Sequence, residues 1–187
     1  VLLCEKEEQT GGLIGSFDYN GFVFDAGIRA LENSGVLFPM LKQLNLDIDF
    51  LPNDVSIGIE DEIVNISSAQ SLNDYQDMLN SQFPDDKESI ASLMKIIQQT
   101  MVYMDILYGI DNPLFMDLKN DHEYIRKTLL PWMFKYLMTV GKIKRLNIPV
   151  ETYLKTITGN QVLIDLIAQH FFAGTPAFFA LSYFSLY

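Results

Sequence analysis

Glu5 is the first residue whose type and place point to chemistry. It follows an apolar run, Val1-Leu2-Leu3-Cys4, with the character of a short β-strand. A carboxylate fixed at a strand tip accepts hydrogen bonds from both hydroxyls of an adenosine ribose, which is how nucleotide-binding βαβ units use an acid there. Glycines come next: Gly11-Gly12, then Gly15, Gly21 and Gly27. Paired glycines let backbone N–H groups approach a phosphate with no Cβ in the way. Gly27, just past a second apolar run, would let the chain lie close to a flat ring. Taken alone, a strand ending in an acid reads better as an edge strand running into a solvated acidic loop, and it is the residues that follow which change the balance. The Gly-rich turn that normally lies about 20 residues upstream of such an acid would precede Val1.

These residues need elements to hold them. Ile14 to Asp18 and Gly21 to Phe24 are β-prone runs joined at Asn20-Gly21, a hairpin signal because both residues tolerate positive φ. Ile28 to Asn45 reads as partly helical, with Leu37, Met40, Leu41 and Leu44 on one face. Val55, Ile57 and Ile59 alternate with polar residues, Glu60-Asp61-Glu62 makes a turn, and Ile63, Val64 and Ile66 form the return strand. From Ser71 the pattern is helical. Ser71 with Asp74, and Asp85 with Glu88, have N-cap spacing. Ile90, Leu93, Met94, Ile97, Met101, Met104 and Tyr108 form one face of a long helix. A helix from about Asp121 to Val140 carries Pro131 as a kink. Pro149 opens a helix to about Thr156, with Glu151 and Lys155 as an i,i+4 pair. A helix over Gln161 to Phe172 follows, and Pro176 opens the last.

In order, Glu5, Gly11-Gly12, Gly15-Ser16-Phe17 and Gly21-Phe22-Val23-Phe24-Asp25-Ala26-Gly27 resemble the flavin-dependent amine-oxidase-type superfamily. The Gly-Phe-x-Phe-Asp-x-Gly run is most similar to its phytoene desaturase, carotenoid isomerase and retinol saturase branch. The resemblance is specific over Val1 to Leu31 and general beyond it. It implies an FAD-dependent oxidoreductase, a dehydrogenase, desaturase or isomerase acting on an apolar polyene or lipid-like substrate. Glu5 would bind the ribose, Gly11 and Gly12 would pack at the pyrophosphate, and Gly27, Ile28 and Arg29 would line the flavin. No catalytic residue is singled out. The chain departs from the pattern in lacking the GxGxxG fingerprint and the C-terminal flavin segment, and in having Leu13 where many members carry a basic residue after the glycine pair. The first two departures lead us to expect a piece of a longer protein, inactive by itself, as do the apolar runs at Val1 and Tyr187.

The expected fold class is α+β. Residues 1–45 would be a partial Rossmann-like FAD-binding piece, and residues 46–187 a substrate domain with a β-hairpin and a helical cap. The helical part supplies apolar and aromatic material for a tunnel, Met94, Met101, Trp132, Phe134, Phe178 and Phe179 among it, although such stripes are ordinarily core.

Composition narrows the classes. Hydrophobic residues at 49% build a core, and a net charge of −11 argues against a nucleic acid or an anionic membrane surface as a partner for the chain as a whole. The single cysteine, Cys4, excludes an internal disulfide and reads as a buried strand residue. Of two histidines, His122 reads as surface and His170 as core, so no metal centre is expected. Glu60-Asp61-Glu62 lacks calcium-loop spacing. Lys142-Ile143-Lys144-Arg145 is the one basic cluster; helix C-terminal charge explains it, with lipid headgroups as the other reading. The apolar tail is too interrupted to span a bilayer. A cytoplasmic location, with peripheral contact with a membrane, is the expectation. A non-catalytic helical module that binds an apolar ligand or a partner helix is the alternative, and an amine-oxidizing flavoprotein a third reading.

Overall fold

The computed structural model describes all residues except 1, 3, 28–30, 32, 33, 52–54, 69, 169–173 and 187, and all their side chains except those of Leu13, Ser185 and Leu186. The chain is mixed α and β, mainly helical, with two small antiparallel hairpins. It divides into two units, Val1–Glu32 and Asn33–Tyr187.

In the first unit a 3-10 turn, Gly12–Ile14, leads into β1 (Ser16–Tyr19) and β2 (Phe22–Asp25). Asn20 (φ 51°) and Gly21 (φ 83°) make the two-residue turn. Both central residues at positive φ give the twist a tight hairpin needs. Phe17 lies opposite Phe24 and the rings stack at 5.6 Å. Every residue of both strands is exposed. The strand expected at Val1–Cys4 is corrected: Leu2 and Cys4 lie in no strand, and both are exposed. Val1 and Leu3 lie outside the described residues, and the described part of this apolar run joins no ladder. The first hairpin strand starts at Ser16 rather than Ile14, because Ile14 is taken into the 3-10 turn.

The second unit begins with α1 (Leu37–Leu44), closed by Asn45 in a left-handed cap whose N–H donates to the Leu41 carbonyl. β3 (Val55–Ile59) and β4 (Glu62–Ile66) pair with Ile57 opposite Val64. Their alternation sends Ile57, Ile59, Val64 and Ile66 onto the core. That core is built from α2 (Ser71–Gln82), the N-terminal half of α3 (Lys87–Tyr108), α6 (Val150–Leu154), α7 (Gln161–Ala168) and α8 (Ala177–Ser182). Leu79, Ile90, Ile97 and Ile164 are fully enclosed there.

The remaining helical stretch is α4 (His122–Tyr124), a π-helical segment Ile125–Leu129, and α5 (Leu130–Ile143). Pro131 accounts for the break in pattern. It lacks the N–H that would close the bond to residue 127, and the ladder widens just before it, with the Leu130 N–H donating to the Ile125 carbonyl.

Local caps differ from expectation at two helix starts. Ser71 is the first helical residue of α2, not its cap, and its Oγ accepts the Ser67 N–H. Asp85 lies inside the 3-10 turn Pro84–Asp86 and caps nothing. The expected Glu151–Lys155 pair does not form, since α6 ends before Lys155 and the two exposed side chains make no ion pair. Pro149 pairs with Pro176 in an antiparallel bridge: the Val150 N–H donates to Thr175 O (2.8 Å) and the Ala177 N–H to Ile148 O (2.8 Å). Neither proline has an N–H, so the flanking residues carry the donors.

Candidate functional site

The glycine pair adopts the backbone its residue type permits. Gly11 sits at φ 114° and Gly12 at φ 51°, both left-handed. A Cβ added at Gly12 would meet nothing within 4 Å, so this side of the turn is open to a ligand. The Gly15 carbonyl accepts the Ala26 N–H (2.8 Å), which ties the glycine turn to the end of β2. Gly27 follows β2 and is exposed; Ile28 and Arg29 lie outside the described residues. Glu5 is exposed. Its Oε1 accepts the N–H groups of Lys6 (2.8 Å) and Glu7 (3.1 Å), closing a local turn, and its other oxygen takes no protein donor among the described residues.

The chemistry of this donor set fits an FAD: an exposed carboxylate for hydroxyls and a Cβ-free left-handed turn for phosphate. Among the described residues no strand precedes Glu5. Lys6 pairs with Glu7 at 3.2 Å, with both side chains solvated.

A second feature lies wholly in the Asn33–Tyr187 unit. The end of α3, the segment before α1 and the start of α5 enclose a cleft of about 320 Å³ lined by Val36, Leu107, Tyr108, Ile110, Trp132 and Tyr136, with Ser34 and Asn112 as polar points. That volume is at the lower end for small-molecule sites. The Trp132 and Tyr136 rings are one helical turn apart, at 4.9 Å between centroids. Trp132 Nε1 donates to the Ile106 carbonyl (2.6 Å), which satisfies the indole's one polar group and holds the ring in place. Gly35 lets residues 34–36 lie close against residues 110–112. It sits at φ 72°, its carbonyl accepts the Asn112 N–H (2.7 Å), and a Cβ there would stand 2.0 Å from the Ile110 carbonyl oxygen.

The cleft lining holds no carboxylate, histidine or lysine. Its apolar walls suit an apolar body, and the hydroxyls of Ser34, Tyr108 and Tyr136 are its polar O–H groups. The sequence named Trp132 only as apolar material and placed Tyr108 on the core face. Three separated segments make the cleft, and no local spacing announces such a meeting.

A more polar cleft of about 350 Å³ adjoins α1 at Lys42, Gln43, Asp111 and Asp117. The Asn120 amide donates to Asp117 (2.7 Å) and holds its carboxyl below the usual range. Burial, then the nearby Asp111 and Asp121 carboxylates, push up the Tyr124 hydroxyl, which donates to the Asp111 carbonyl (2.7 Å).

Among the described residues no group of three or more His, Cys, Asp or Glu is placed to hold a metal, and no helix is long and apolar enough to cross a membrane. His122 is exposed, and His170 lies outside the described residues. Cys4 is exposed rather than buried, for want of the strand that would have covered it. Compared with protein-family models, with characterised proteins and with solved structures, the chain matches none.

Proposed function

We propose that this chain is part of an FAD-dependent oxidoreductase of the phytoene-desaturase-like kind, acting on an apolar polyene or lipid-like substrate. The observation that carries the reading is the ordered set Glu5, Gly11-Gly12 and Gly21 to Gly27, with both paired glycines in a left-handed backbone open on one side. Glu5 would accept hydrogen bonds from the ribose hydroxyls. Gly11 and Gly12 would let the backbone close on the pyrophosphate, and Gly27, Ile28 and Arg29 would lie along the ring. This set would be one part of a Rossmann-like flavin site. When bound, the flavin supplies the hydride acceptor or donor, and the protein supplies position and a dry site. The aromatic cleft at Trp132 and Tyr136 supports the apolar substrate class.

The test is to express the complete reading frame that contains this chain and measure flavin per polypeptide. One FAD per chain, together with a Gly-x-Gly-x-x-Gly turn encoded upstream of Val1, is expected. A flavin-free product with no such turn overturns the reading. The cleft also favours a second reading, a non-catalytic module for an apolar ligand. Trp132 is the chain's single tryptophan, so its fluorescence reports the cleft directly. Quenching by a polyene in a product that never holds flavin would favour the second reading.

A further inference from the structure

The outward face of α5 is a continuous apolar stripe left exposed among the described residues. Leu130, Met133, Phe134, Leu137 and Met138 recur at three and four residues, and they are 51%, 46%, 68%, 67% and 55% exposed. The opposite face is committed inward: Thr139 is buried, and Trp132 and Tyr136 line the aromatic cleft. Scattered exposed leucines are ordinary, but a helical stripe with its own partnerless face marks an interaction surface.

Charge identifies the partner. From Tyr124 to Val150 the sequence has no Asp or Glu, and it carries Arg126, Lys127, Lys135, Lys142, Lys144 and Arg145. That leaves seven Lys+Arg against all 24 Asp+Glu in the rest of the chain. Lys127 is paired with Glu123 (2.5 Å), and Lys142 lies 5.9 Å over the Tyr103 ring. Arg126, Lys135, Lys144 and Arg145 are exposed and form no ion pair among the described residues. Charge at a helix C-terminus explains Lys142 to Arg145. It does not explain Arg126 or Lys135, nor the absence of acids over the whole stretch.

We propose that α5 is an interfacial helix whose Leu130–Met138 stripe beds into the headgroup boundary of an anionic bilayer, with the surrounding Lys and Arg on the lipid phosphates. A basic flank and an Leu/Phe/Met face is the composition that lies on a membrane rather than through it. The strongly acidic remainder of the chain is repelled by the same surface, which leaves this face as the one that docks. The proposal rests on α5 alone and stands whether or not the protein holds a flavin.

The test is co-sedimentation of the full chain with vesicles of phosphatidylcholine alone and of phosphatidylcholine mixed with phosphatidylserine. Binding to the mixed vesicles only is expected, and it weakens as salt shortens the screening length. A basic residue near an anionic surface is worth about fivefold in partitioning, so Lys135→Gln with Lys144→Gln lowers it about 25-fold. Phe134→Ser with Leu137→Ser also lowers it, while circular dichroism and the unfolding midpoint hold, since both side chains face solvent. Equal binding to both vesicle types, binding to neither, or indifference to either double variant overturns the proposal. So does dimerisation, or capture of an acidic partner segment, that the Ser variants abolish in the absence of vesicle binding.

Discussion

Gly35 holds a backbone that no other residue can hold in the same place. Any Cβ would enter the Ile110 carbonyl oxygen at 2.0 Å, and φ is 72°. Gly35→Ala is expected to cost about 2–4 kcal/mol, from strain and overpacking together. Urea unfolding measures this, and Trp132 emission shifts as the Gly35 and Ile110 segments are pushed apart. Glu5 has the opposite character: it is exposed and structurally replaceable, so its substitution speaks only to ligand. Glu5→Gln leaves the unfolding midpoint unchanged. If Glu5 binds ribose, the same change weakens FAD retention by the complete gene product about 10–100-fold, the worth of a hydrogen bond to a charged group. Unchanged retention removes Glu5 from the site.

At the scale of elements, the join between α3 and α7 is a polar clip. One Asp86 carboxylate oxygen accepts from Thr158 Oγ1 (3.0 Å) and the other from Asn160 Nδ2 (2.7 Å). Asn160 Oδ1 in turn accepts the Val162 and Leu163 N–H groups (3.1 and 3.3 Å) and so caps α7. Asn160→Ala removes the cap and one arm of the clip, and about 1–2 kcal/mol of stability is expected to go with them. Within α2, burial pushes the Tyr75 hydroxyl far above its ordinary 10.0. Above that pH the unfolded chain releases the proton and the folded chain keeps it. Stability is therefore fully present below pH 10 and falls as pH rises, by about 1.36 kcal/mol per unit from this group. Tyr75→Phe removes that share of the slope, which urea midpoints at about pH 9 and about pH 11 compare. The elements themselves were legible where the signal is local. Asn20-Gly21, the Val55–Ile59 alternation and the Ile90–Ile97 face all appear as read. The caps were not: Ser71 Oγ is taken by the Ser67 N–H four residues upstream, Asp85 is drawn into the 3-10 turn, and its neighbour Asp86 reaches across to Thr158. Spacing alone does not rank such rivals.

Across the molecule, burial is uneven. Ile90, Leu93, Ile97, Leu163 and Ile167 lie in the core of the Asn33–Tyr187 unit, whereas β1 and β2 are exposed along their length. Hydrogen exchange is expected to protect the amides of α3 and α7 longest and to release those of β1 and β2 early, since a two-stranded hairpin by itself is marginal. Equal protection of both would contradict this distribution of burial. The left-handed glycine turn at Gly11-Gly12 was legible because its residues are consecutive in sequence. The Trp132 cleft was not, because Ser34, Ile110 and Trp132 come from three distant segments. The π-helical turn at Ile125–Leu129 has a reach of its own. It holds one residue more than a regular α-helical path would need, so removing Thr128 would tighten the turn to α-helical width, with Pro131 still withholding one ladder donor. Because the wide turn already absorbs that residue, the faces on its two sides would keep their phase, and Trp132 and Tyr136 would stay on their cleft. The inserted residue is slack in the backbone, a spare link that lets the chain pass a proline without turning the rest of α5 away from the protein.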